Sequence, residues 1–255
     1  MAITQDLATL SGFRRRFLVV PHPNQCTAAL EDDYHCMAVT LHHDGSTIIA
    51  IESLMDRAPW TTCPGARAVL GQTFIGVALR EAVKAGDKVL NCTHLYDLVL
   101  LAAAHALDDA PTRYDILAND PVDGAKRAEI RRDDVVILAF ELEGDMITAP
   151  AELAGRTLFQ LRDWVAAQPA LVREAARMLQ WGTIMSYGRT MTTQGLRDVV
   201  DKPAVCYTFQ LGQRTVTEYA GEIFDFSGEG RAPLAHFDGE RFGPRMATPA
   251  QKGRL

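Results

Sequence analysis

The chain contains no apolar run approaching the roughly 20 residues that a membrane-spanning helix needs. Its longest near-continuous stretch, Leu98 to Leu107, is interrupted by His105. The opening residues Met1-Ala-Ile-Thr-Gln-Asp lack the basic start and apolar stretch of a signal peptide. A Gly-rich phosphate loop, a dinucleotide fingerprint, a Gly-x-Ser-x-Gly elbow and a His-Glu-x-x-His pair are all missing. Nucleotide-dependent chemistry and the common hydrolase mechanisms therefore have no support. Cysteine is sparse and scattered, at Cys26, Cys36, Cys63, Cys92 and Cys206, with no Cys-x-x-Cys pair. That pattern gives no indication of a zinc ribbon and reads as reduced thiols, each by default a small buried hydrophobe. Internal repeats and low-complexity tracts are absent too. Basic residues are outnumbered, 26 Lys and Arg against 32 Asp and Glu, so no basic nucleic-acid face is expected.

What remains is an ordinary globular composition: 47% apolar and 23% charged residues over 255 positions, enough for a substantial core. The expectation is a soluble, cytoplasmic protein with no nucleic-acid or membrane partner and a homodimer as the default assembly.

Hydrophobic periodicity divides the chain into three parts. Residues 1–27 read as an irregular N-terminal segment, in which Arg14-Arg-Arg16 forms either a solvated flank or a contact for an anionic partner. Residues 28–110 read as an α+β core. A hairpin is expected over Leu30 to Glu52 with its turn at His42-His-Asp-Gly45, where Asp-Gly is a strong signal. A helical stretch follows over about Gly65 to Lys84, weakened by Gly71 and Gly76. The clearest helix starts at an N-cap Thr93 and buries Leu95, Leu98, Val99, Ala102 and Ala106. Residues 111–255 form a second β/α part: strands from Tyr114 to Ala149, helix from Leu158 to Met185 with Pro169 as a kink or boundary, a strand pair Val205–Phe209 and Val216–Tyr219, and a loosely ordered tail. The order of elements favours an α+β architecture, an antiparallel sheet packed on helices, over a doubly wound sheet.

Reactive side chains concentrate in three segments, each at an element boundary. They are Leu30-Glu-Asp-Asp-Tyr-His-Cys36, Trp60-Thr-Thr-Cys63-Pro64 and Asn91-Cys92-Thr-His94-Leu-Tyr96-Asp97. If they converge, Cys36, Cys63, Cys92 and His35 are candidate ligands for zinc or iron. A histidine beside carboxylates suits proton transfer instead, with His94 or His35 as base and Tyr96, Asp33 or Asp97 as donor or orienting group. Cys63 and Cys92 lie at expected helix starts, where the dipole would favour thiolate. The competing reading makes the acids solvated turn residues, the histidines caps or surface, and the cysteines core.

These segments resemble a bacterial family of domain-of-unknown-function proteins. The likeness covers roughly Ala28 to Leu179 and is carried by Leu30-Glu-Asp-Asp-Tyr-His35, Arg57-Ala-Pro-Trp-Thr-Thr-Cys-Pro-Gly-Ala66 and Asn91-Cys-Thr-His-Leu-Tyr-Asp-Leu98. In element order the hairpin-to-Cys92 run is also similar to the NifU-type iron–sulfur scaffold. That comparison matches Cys63 and Cys92 to two of the scaffold's cysteines and places Cys36 or His35 near its first. Pro64 after Cys63, the lack of Gly-rich surroundings and the long C-terminal part depart from that scaffold.

The first family resembles proteins common in bacteria that degrade plant-derived aromatics. The resemblance implies a carbon–carbon lyase acting on a small lignin-derived phenolic. A concrete reaction is deformylation of a phenylpropanoid dimer to a stilbene through a quinone methide, with formaldehyde released and no redox cofactor required. Decarboxylation would use similar equipment. The alternatives are a zinc- or iron-binding or iron–sulfur carrier protein without catalysis, and a small-molecule binding module.

Overall fold

A computed structural model describes residues 5–191, 195, 204–228 and 231–237. The protein is mixed α and β, with eight antiparallel strands in the order β4-β3-β2-β1-β5-β6-β7-β8. The strands are β1 (Gly12–His22), β2 (Gln25–Asp32), β3 (Cys36–His43), β4 (Ile48–Arg57), β5 (Thr112–Asn119), β6 (Ala125–Arg132), β7 (Val135–Glu143) and β8 (Met146–Ala149). The helices that matter below are α1 (Arg67–Phe74), α2 (Thr93–His105), α3 (Arg162–Ala166) and α4 (Ala170–Ser186). No helix among the described residues is long and apolar enough to cross a membrane.

The chain divides into two compact units. The first comprises Met1–Phe17, Thr112–Val199 and Ile223–Pro233; the second comprises Leu18–Pro111, Val200–Glu222 and Leu234–Leu255. Strand β1 gives its first half to one and its second half to the other.

In the first unit, β5, β6 and β7 form a meander whose β6–β7 turn is Asp133-Asp134, both at positive φ (48° and 70°). Two successive left-handed residues define the tight hairpin turn whose twist matches that of the strands, and aspartate tolerates that region better than most residues. Helix α4 covers the meander with Ala175, Ala176, Leu179 and Gly182 buried. Gly12 is required by contact: a Cβ there would lie 2.1 Å from the carbonyl oxygen of Ala118 on β5.

In the second unit, β2, β3 and β4 pair in a meander, with Leu30 opposite Met37 and Leu41 opposite Ile51. Helix α2 packs on β2 and β3. Leu95, Leu98, Val99 and Ala102 are fully buried there, the helical spacing that the sequence carries.

Several expectations are corrected. Residues 1–27 are not irregular: β1 and the start of β2 lie in them. Arg15 interrupts the alternation of Phe13, Phe17 and Val19, which is the strand signal, and lies against both phenylalanine rings. The segment 65–84 is not one helix. It comprises a 3₁₀ turn at Cys63–Ala66, α1, and a second 3₁₀ stretch at Leu79–Lys84, separated at Gly76, whose φ is +87°. Cys92 caps α2 in place of Thr93. The strand pair at 205–219 is absent: Tyr207–Phe209 is a 3₁₀ turn, Leu211–Arg214 a short helix, and only Tyr219 makes a β-bridge, to Trp60.

Candidate functional site

The β2–β3 connection is a four-residue turn, because Glu31 pairs with Cys36 across the hairpin. Asp32 builds it. One carboxylate oxygen, Oδ1, accepts the backbone N–H groups of Tyr34 and His35, both at 2.7 Å, while the Asp32 N–H donates to the His35 carbonyl at 2.9 Å. Aspartate folds the chain back on itself this way because its short carboxylate reaches N–H groups two and three residues on. Arg57 at the end of β4 braces the turn, donating to the Asp32 carbonyl at 2.8 Å and to Glu31 Oε1 at 3.1 Å. The other oxygen of Glu31 accepts the Leu234 N–H at 2.6 Å.

The same carboxylate holds an imidazole. His35 Nδ1 lies 3.0 Å from Asp32 Oδ1 and 3.3 Å from Oδ2, and both residues are buried. An ionised carboxylate can only accept, so Nδ1 carries a hydrogen, and in the neutral ring Nε2 is then the acceptor. Helix α2 supplies the second ring. His94, one residue into the helix beyond Thr93 and half-buried, stacks on His35 with centroids 3.9 Å apart and planes at 32°. The docking of α2 onto β2 and β3 brings its first turn to the hairpin end.

Asp32, His35 and His94 each offer a ligand atom within 4.8 Å of the others; among the described residues no other group of three or more His, Cys, Asp or Glu side chains does so. The expected residues His35 and His94 are therefore brought together. Asp32 is the member that sequence reasoning passed over in favour of Asp33. The available signal was the Asp-x-x-His spacing of an aspartate-built turn entering a strand.

The other expected residues are not members of this group. Asp33 is fully buried in the same turn but is not one of the three. The Tyr96 hydroxyl donates to the Ala85 carbonyl at 2.8 Å and its ring packs on Phe74; burial raises the phenol above its ordinary range. Asp97 is ion-paired to Lys88 at 2.7 Å.

Cys36, Cys63 and Cys92 are buried free thiols outside the group of three. The helix-start effect expected to favour thiolate is outweighed by burial at Cys63 and Cys92. Desolvation raises Cys63 despite a 3.3 Å contact of its sulfur with Thr208 Oγ1. Burial pushes Cys92 up to about 12, and the N–H groups of Leu95 and His94 offset only part of that. Cys36 is raised as well, by burial and by Glu31. A helix start acts on a thiol's charge only as far as the anion is tolerated, and in a dry site the desolvation cost is larger.

Residues 19–108 match a family model described as protein of unknown function (DUF2889). The match contains the turn, the Cys63-Pro64 segment and the start of α2, and so all three clustered side chains. No curated protein matches the chain.

Proposed function

We propose that the chain is a carbon–carbon lyase acting on a small phenolic compound, with Asp32, His35 and His94 as its acid–base centre. The observation that carries this reading is the carboxylate-held imidazole of His35 stacked at 3.9 Å on the half-buried His94. Asp32 fixes the ring and its tautomer; His35 Nε2 is the base. His94 is the more exposed ring and meets the substrate.

For a phenylpropanoid dimer bearing a terminal hydroxymethyl group, the steps balance without an oxidant. The phenolate expels the benzylic oxygen, which leaves protonated by His94, and a quinone methide forms. His35 removes the hydroxyl proton of the hydroxymethyl group. The carbon–carbon bond breaks, formaldehyde leaves, and the electron pair forms the stilbene double bond as the ring regains aromaticity. Decarboxylation of a related acid would use the same pair. The resemblance to proteins of aromatic-degrading bacteria supports the substrate class. The proposal includes a homodimer in the cytoplasm.

The test is to incubate the purified full chain with such a dimer and to measure formaldehyde and stilbene absorbance. His35→Ala and His94→Ala should each lower turnover by about 10²–10⁴-fold while keeping the native circular dichroism. Full turnover in both variants would overturn the assignment.

A second reading is favoured by the three ligand atoms lying within 4.8 Å: a zinc- or iron-binding protein, with catalysis or as a carrier. Its ligands would be the two imidazoles and the Asp32 carboxylate. The NifU-type variant of this reading uses Cys63 and Cys92. Elemental analysis separates them: about one equivalent of metal lost in His35→Ala and His94→Ala supports the imidazole site, whereas loss in Cys63→Ala and Cys92→Ala supports the scaffold.

A further inference from the structure

Lys126, in the first unit, is an amine that the proposed reaction does not use. It stands on β6 two residues before Ala128 and four before Ile130, both fully buried, and so on the same face of the strand. That is the core face: Ile130 pairs with Ile116, whose side chain lies against Gly182 of α4. A lysine thus occupies a core position, and it is only 2% exposed.

Its amine lies 4.2 Å from the centre of the Tyr187 ring, in the 3₁₀ turn Tyr187–Thr190 that follows α4. Tyr187 is anchored by its hydroxyl, which donates to the Gly144 carbonyl at 2.7 Å. Asp120 attracts the ammonium without pairing with it: among the described residues the Lys126 amine makes no ion pair and no hydrogen bond. Both oxygens of Asp120 are engaged elsewhere. Oδ1 accepts Arg189 Nε–H at 2.8 Å, and Oδ2 accepts the Ser11 hydroxyl at 2.7 Å and Arg189 Nη2–H at 3.2 Å. An ammonium withdrawn from water onto a ring face gives up its proton more readily than one in solvent, and the amine left behind carries a free lone pair.

We propose that Lys126 captures a small uncharged aldehyde as a protonated imine, with the new cation resting on the Tyr187 ring. The neutral amine attacks the carbonyl carbon and a nitrogen–carbon bond forms. The resulting carbinolamine takes up one proton from solvent and loses one water, which leaves the protonated imine; no oxidant or reductant is needed. Desolvated lysines are the ones that serve as amine nucleophiles, and burial brings this one down to about 8. The ring face and Asp120 both favour a cation, so the site suits an imine and opposes an anionic adduct such as a carbamate. An uncharged aldehyde also avoids the desolvation cost that an ion would meet on the way in. The proposal is independent of the chemistry at Asp32, His35 and His94.

The experiment treats the native full chain with propanal and cyanoborohydride at pH 7, which reduces each imine to a stable alkyl amine, and follows every lysine by peptide mass spectrometry. Lys84, whose side chain is 73% exposed, is the reference. At pH 7 about one in ten amines titrating near 8 is neutral, against fewer than about one in a thousand for an ordinary lysine. Lys126 should therefore be alkylated about tenfold or more faster than Lys84, and the preference should vanish in urea, where both are solvated. The wild-type protein carries this test, so it does not depend on a variant that folds. Alkylation of Lys84 at an equal or higher rate, or a preference for Lys126 that persists in urea, would overturn the proposal.

Discussion

The imidazole of His35 is fixed by Asp32 three residues before it, at 3.0 Å, through the same carboxylate oxygen that closes the turn on which both residues sit. One atom therefore does a structural and a chemical task, and substitutions at Asp32 can separate the two. In Asp32→Asn the amide oxygen can still accept the N–H groups of Tyr34 and His35, so the turn persists. The negative charge is lost, and Oδ2, 3.3 Å from Nδ1, becomes an NH₂ that faces the Nδ1–H donor to donor, which loosens the hold on the His35 tautomer. Turnover should fall by about 10²-fold or more with a modest change in stability. Asp32→Ala instead leaves two buried N–H groups without their acceptor, at roughly 1–3 kcal/mol each. Urea denaturation of the two variants should place Asp32→Ala well below Asp32→Asn; equal stabilities would remove the turn-building role.

The fold and the site were legible to different degrees. Helix α2 was plain because Leu95, Leu98, Val99 and Ala102 repeat at the helical period over a long stretch. The hairpin turn beyond His43 was plain from Asp44-Gly45, where glycine takes a φ of +93°. Strand β1 was hidden because strand alternation carries arginines there, two of them nearly buried and solved by tertiary contacts that sequence does not display. At the site, His35 and His94 could be suspected from their positions at element starts. Their stacking depends on how α2 docks on β2 and β3, a contact 59 residues apart in sequence. The helix-dipole argument for thiolates failed at Cys63 and Cys92 because it treats the helix end as wet, whereas both sulfurs are dry.

That dryness has a measurable consequence. Cys26 and Cys92 are each pushed up to about 12 by burial, and Cys206, half-buried, to about 11. Thiolate is the reactive form, so the native protein should react slowly with a thiol-specific chromogenic disulfide at pH 8, Cys206 first. All five thiols should react at once in denaturant. Rapid native reaction of Cys63 or Cys92 would restore the low-pKa reading.

Gly12 tests the close approach of β1 to β5. A methyl group there meets the Ala118 carbonyl oxygen at 2.1 Å and the Asn119 Cα at 2.6 Å, both backbone atoms that cannot rotate away. Gly12→Ala should destabilise the chain by about 1–3 kcal/mol or more. Gly45→Ala, where nothing lies within 4 Å, should cost only the strain of its positive φ. Thermal denaturation of the pair should therefore rank Gly12→Ala as the worse; the reverse order would argue against the strand pairing.

Lys126 gives the first unit a pH dependence whose sign can be worked out. The residue is 2% exposed, and its ammonium lies 4.2 Å from the centre of the Tyr187 ring. Burial lowers it from 10.5 to about 8; nearby Asp120 opposes that shift and Arg189 adds to it. Between about pH 8 and 10.5 the unfolded chain holds a proton at this lysine that the folded chain has released. Stability from this group therefore rises with pH through that window, and the cost of burying the ammonium is at its full value below pH 8. Lys126→Met removes both the cost and the contact of the cation with Tyr187. The difference in unfolding free energy between wild type and Lys126→Met, measured in urea, should move in favour of wild type by about 2 kcal/mol from pH 7.5 to 9.5. Taking the difference cancels the opposite contribution of the buried thiols, which the two proteins share. A difference that stays constant over that range would mean that Lys126 remains charged in the folded protein, held by Asp120 more strongly than burial opposes.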